Sequence, residues 1–200
     1  AQAYRANNRA VTLEDFQALA LQVPGCGKAS AQSVIPGAVT LTVAPSRNFG
    51  GAEDRPGYTW DGAAWVTTVE YETLKSSVYD FVSPKMLAGT TMAVSDAVYE
   101  FVVTTIDVVA LPSLSNTSVA TTVKNALLER LDYSLVGFGT TISPSGIQAL
   151  VSSLGITTSV TVSVLKKSGD PDAVNTLLAA DDTIFLVLGA NVTINSTGGI

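Results

Sequence analysis

The chain of 200 residues contains no histidine and a single cysteine, Cys26. Without histidine, the Ser-His-Asp triad, the commonest general base and every His-ligated metal site are out of reach. One cysteine permits neither an intrachain disulfide nor a cysteine metal cluster. Charge is also scarce. Charged residues make up 14% of the chain, against about a quarter in ordinary globular domains. Lys and Arg total 11 and Asp and Glu 17, for a net charge of −6. So few cations argue against nucleic acid as a partner, because phosphate contact needs clustered Lys and Arg. Long apolar runs are missing as well. The most apolar stretch, Val98 to Leu111, is interrupted by Glu100, Thr104, Thr105 and Asp107 and is too short to span a bilayer. The polar start of the chain lacks the apolar core of a signal peptide. No membrane partner is expected. The first residue is Ala rather than Met, as expected of a processed chain or a piece of a longer one.

What is present is apolar and hydroxyl-rich. Hydrophobic residues reach 46%, which excludes a disordered chain. Ser and Thr together supply 42 residues. Hydroxyls cost less to desolvate than charges, so this surface suits a protein covered by neighbours in an assembly.

Thr12 is placed to cap a helix, with Glu14 and Asp15 in its first turn, where the helix dipole favours carboxylates. Phe16, Leu19, Ala20 and Val23 follow at i, i+3, i+4 and i+7 as one apolar stripe, and Pro24-Gly25 stops the helix. Phe16 and Leu19 are expected to pack under the hairpin that follows. Strands are expected over Ala29–Ile35 and Ala38–Ala44, joined by a tight turn at Pro36-Gly37. Residues 46–67 lose all periodicity and read as a Gly-rich, aromatic-rich loop or small flap. A helix over Tyr71–Val82 places Leu74, Val78, Phe81 and Val82 on one face. Ala97–Leu111 reads as a long strand, apolar on both faces and so expected to be covered on both. Ser118 is expected to cap a helix reaching Leu131, and Ser143-Pro144 to start another. Alternation predicts strands from Ile156 to Val164 and from Ile184 to Ile194. Asp172–Ala179 reads as one or two helical turns. The mixture is α+β, built as two small α/β sandwich modules with mixed or antiparallel sheets. The N-terminal module covers 1–95, with the opening helix, hairpin and long loop. The C-terminal α+β module covers 96–200.

The run Asn8-Arg9-Ala10-Val11-Thr12-Leu13-Glu14-Asp15-Phe16, with the helix closing at Val23-Pro24-Gly25, resembles the baseplate J-like wedge family of bacteriophage tails. Strands like Gly27–Ala31 and Val39–Val43 follow in that family. A helix like 71–82 then leads to a strand like Gly89–Val94. The resemblance covers the chain as the C-terminal portion of a usual family member. It implies a structural, non-enzymatic component of a virion, assembled in the host cytoplasm. Such wedge proteins link the hub and tube of the baseplate to its peripheral parts, in phage tails and related contractile injection systems. The partners implied are other baseplate proteins and copies of the chain itself, around the tail axis. The family lends no catalytic, metal or cofactor residue, and no cofactor is expected. Arg9, Ala10, Val11, Thr12, Glu14, Asp15, Phe16, Pro24 and Gly25 carry the motif.

Other features have plain readings. Cys26 follows the helix stop and, with no histidine to activate it, reads as a small turn residue. The adjacent carboxylates Glu14/Asp15 and Asp181/Asp182 lack the cleft-spanning separation of glycosidase pairs. Gly169-Asp170-Pro171-Asp172 lacks the spaced ligands of a calcium loop. Phe49, Tyr58, Trp60 and Trp65 are four large aromatics in one irregular segment. Aromatics are enriched at interface hot spots, so these four are candidate partner contacts. A flap folded back on its own sheet is the alternative. They also support a second functional class, a receptor- or glycan-binding module of a tail tip.

Overall fold

A computed structural model describes residues 9–47, 49–52, 55–174 and 176–200. The chain divides into two compact units. The first runs to Val98 and takes back Asp181–Thr183, and the second comprises Tyr99–Ala180 and Ile184–Ile200.

In the first unit, α1 (Leu13–Ala20) begins at Thr12, whose extended backbone and side-chain oxygen make it the N-cap. The helix buries Phe16, Leu19 and Ala20, the stripe read from the spacing. The chain then enters β1 (Cys26–Ile35), turns at Pro36-Gly37, and returns as β2 (Ala38–Pro45), antiparallel to β1. Four short strands follow, β3 (Gly51–Ala52), β4 (Arg55–Pro56), β5 (Tyr58–Trp60) and β6 (Trp65–Thr67), which pair as two small hairpins. Of the two readings of this segment, loop or small flap, the described residues form the flap. Helix α2 (Val69–Val82) is capped by Thr68. Strand β7 (Thr91–Asp96) lies parallel to β2, giving a three-stranded sheet of order β1-β2-β7.

The core of this unit joins Phe16, Leu19 and Val23 to Leu41 and Val43 of the sheet and to Tyr71, Leu74, Val78 and Val82 of α2. Phe16 and Leu19 are 2% and 0% exposed, as their place under the hairpin requires. Phe81 departs from expectation. It is 36% exposed, and the Lys85 ammonium sits 3.1 Å from its ring centroid. The buried stripe is centred on Tyr71, Val78 and Val82, which leaves Phe81 at its margin.

In the second unit, β8 (Val98–Ala110) is the middle strand of a sheet of order β10-β8-β12. Helix α3 (Asn116–Arg130), strand β9 (Thr141–Ile142), helix α4 (Pro144–Ser153), β10 (Thr157–Lys167), β11 (Leu177–Leu178) and β12 (Thr183–Gly198) follow. Strands β8 and β10 are antiparallel, with Val108 opposite Val160 and Ile106 opposite Val162. Ser143 caps α4 through the Gly146 N–H, with Pro144 at the first helical position.

Three expectations are corrected in this unit. Helix α3 starts at Asn116, so Ser118 lies inside its first turn rather than at the cap. Ser115 holds the cap position without a side-chain hydrogen bond, and the Asn116 N–H donates to the Ile200 carbonyl. Residues 172–179 contain no helix among those described. Val174 N–H donates to Leu165, and Leu177 pairs with Ile142, so bonds to distant strands replace the local helical ones. Strand β8 is covered more fully on one face than on the other, where Tyr99 is buried but the residues after it are less so. Val102, Ile106 and Val108 are buried, while Phe101 and Val103 are half-buried and Val109 is exposed. Antiparallel pairing permits one such wetter face.

Candidate interaction surface

The opening motif is a closed local structure. Thr12 and Asp15 form a reciprocal capping box. The Asp15 N–H donates to Thr12 Oγ1 at 3.2 Å, and the Thr12 N–H donates to Asp15 Oδ2 at 2.9 Å. Val11 N–H also donates to Asp15 Oδ2, at 3.1 Å. These donors, the backbone amide of Thr12 first, hold the Asp15 carboxyl below its ordinary value. Ala10 is buried and bridges to Met86, with its N–H on the Lys85 carbonyl. Arg9, Val11 and Glu14 are exposed, as is Pro24. Asn8 lies outside the described residues.

Gly25 connects this motif to the flap. Its φ is +91°, a region L side chains rarely enter. A Cβ there would collide with the Phe49 ring. Two demands, handedness and close approach, therefore converge on glycine at the end of the Pro-Gly stop.

The four candidate aromatics separate into two pairs. Phe49 and Tyr58 pack against the core of the first unit. Tyr58 meets Tyr71 edge-on with centroids 5.7 Å apart, and its hydroxyl donates to the Ala97 carbonyl at 3.1 Å. Burial, then the nearby Asp96 charge, push the Tyr58 phenol up to about 12, so it stays neutral. Gly57 (φ +84°) lets the backbone pass against the Tyr71 ring. Trp60 and Trp65 instead face each other across the β5–β6 hairpin, edge to face at 5.7 Å. Trp60 is 54% exposed and Trp65 half-buried, with the Arg55 guanidinium 4.6 Å over the Trp65 ring. The hairpin tip is held by Asp61, whose carboxylate accepts the N–H groups of Ala63 and Ala64, both at 2.8 Å. Those bonds lower its pKa, Ala64 contributing most. At its base, the Thr67 hydroxyl donates to Glu72 of α2 at 2.6 Å. The result is a small, braced knuckle that presents the Trp60 indole to solvent.

Cys26 is half-buried, and its thiol donates to the Lys28 carbonyl at 3.5 Å. Burial pushes the thiol up to about 12, far above the range of reactive thiolates. Among the described residues, no group of His, Cys, Asp or Glu is arranged to hold a metal ion. No helix among them is long and apolar enough to cross a membrane.

One feature escaped the sequence reading: an open groove of about 390 Å³ beside β7, walled by Glu72, Lys75, Ser76, Tyr79 and Asp80 of α2. Only the sheet order shows that the polar residues of α2 border a strand edge.

No family model matches the chain, and no curated protein matches it. Among solved structures, it is similar to a chain of the anti-feeding prophage baseplate, from a cryo-EM structure with sixfold symmetry applied. The TM-score is 0.60 at 14% sequence identity, over 94% of this chain and 39% of that one. At this identity the likeness is one of fold. This chain spans 39% of the length of the protein it matches.

Proposed function

We propose that the chain is a structural component of a tail-type baseplate, a wedge-like part that links hub and tube to peripheral components without catalysing a reaction. The observation that carries this reading is the fold likeness to the anti-feeding prophage baseplate chain over 94% of the present chain. The composition supports it. A surface rich in hydroxyls and poor in charge is cheap to cover with neighbours. The side chains described offer support rather than chemistry, with a thiol held protonated and carboxylates engaged in caps and turns. The partners are other baseplate proteins and further copies of the chain, in a tail particle assembled in the host cytoplasm. Affinity purification of tagged chain from lysed host cells tests this. The reading expects tail and baseplate proteins to co-purify in fixed ratio. Recovery of the chain free of any tail protein overturns it.

The Trp60–Trp65 knuckle favours one second reading, a receptor- or glycan-binding module. Sugar rings stack on the face of an indole, and Trp60, 54% exposed, is the indole that the hairpin offers to solvent. Binding of the isolated chain to a glycan array, lost in Trp60→Ala, supports that reading. An array without signal removes it.

A further inference from the structure

The geometry points to the outer edge of β7 as a strand-addition site that receives an extended, basic segment of another chain. Strand β7 ends the sheet β1-β2-β7, and among the described residues no strand lies on its far side. Thr91 N–H donates to Gly37 of the β1–β2 turn, at 2.8 Å. Residues of a strand address its neighbours alternately. Thr91, Ala93 and Ser95 therefore turn their backbone groups to β2, and the N–H and C=O of Met92 and Val94 point away from it. Such an edge is a template for another strand.

What separates this edge from an ordinary solvated one is the wall beside it. Helix α2 runs along the groove, so an extended segment laid against β7 would rest alternate side chains over Ser76 and Tyr79. Tyr79 is 44% exposed and supplies an apolar surface there. The charge of the groove selects the occupant. Lys75 is engaged by Glu72 at 2.9 Å and by Asp96 at 2.5 Å. One cation thus faces two carboxylates, and Asp80 adds a third, exposed on the same wall. The excess is negative, which favours Lys- or Arg-bearing segments and opposes acidic ones.

The test uses the full chain, isotopically labelled, and two pools of synthetic peptides as long as β7, six residues. Both pools alternate Thr and Val, one with Lys and the other with Glu at the polar positions. Backbone amide exchange and chemical shifts are read by NMR. The basic pool is expected to slow exchange at the Met92 and Val94 amides roughly tenfold and to shift Tyr79. Asp80→Lys, on an exposed side chain, is expected to weaken binding by roughly three- to tenfold. Val94→Pro removes an outward N–H while sparing the β2 ladder, and is expected to abolish binding in a chain that keeps its native spectrum. Ala93→Pro, which removes an inward N–H, is the contrast that disrupts the sheet. Should Val94→Pro fail to fold, Asp80→Lys still decides. Equal binding of both pools, no change at Met92 and Val94, or full protection of those amides in the free chain would each overturn the proposal.

Discussion

Tyr71 donates its buried hydroxyl to the carbonyl of Val43 at 2.6 Å. The same oxygen accepts the Ala97 N–H at 2.9 Å. One side chain on α2 thereby joins the end of β2 to the residue that follows β7. Tyr71→Phe keeps the ring and strands both backbone groups. It should cost about 1–3 kcal/mol, read as a lower urea midpoint with an unchanged denaturant slope.

Phe16→Ala removes a side chain that is 2% exposed from the middle of the first unit's core. The expected loss is roughly 3–5 kcal/mol. Thr12→Ala, which removes only half of the capping box, should cost about 1 kcal/mol. A melting temperature insensitive to Phe16→Ala would mean that the motif does not anchor the core.

The capping box also carries a pH signature. Asp15 has its pKa lowered on folding from 3.8. A depressed carboxyl contributes stability that is present above its unfolded pKa and lost as pH falls through its folded one. Asp15→Ala should therefore be less stable than the parent at about pH 6, with the difference shrinking below about pH 4. Chemical denaturation at both pH values checks this. A difference that grows on acidification contradicts the assignment.

The helices and the first hairpin were legible because their determinants are local. Thr12, Ser143-Pro144 and Pro36-Gly37 act within a few residues of their own positions. Ser118 misled because a Ser placed before an apolar stripe is a cap only if the helix begins there, and the Ile200 carbonyl at Asn116 N–H is invisible to local reading. The local pattern around Leu177 predicts helix, because the strand partner that overrides it, Ile142, lies far away in sequence. The aromatic segment shows the same limit. Nothing local tells Phe49, which lies against Gly25, from Trp60, which lies against solvent. The β7 groove was illegible for the same reason, since a sheet edge exists only once strand order is known.

The two aromatic pairs should behave oppositely. Tyr58→Ala removes a core contact and a hydrogen bond and should lower the melting temperature. Trp60→Ala takes away a side chain that is 54% exposed and should leave stability within about 0.5 kcal/mol, while reducing incorporation of the chain into particles. Normal incorporation of folded Trp60→Ala protein would exclude the knuckle as a contact.

The most direct measurement of the structural role is a cryo-EM map of tail particles isolated from cells that express the chain with a small fusion tag. The account predicts density matching both units in several copies around the tail axis at the baseplate, next to the tag. Particles with a complete baseplate that holds no density for either unit would contradict it.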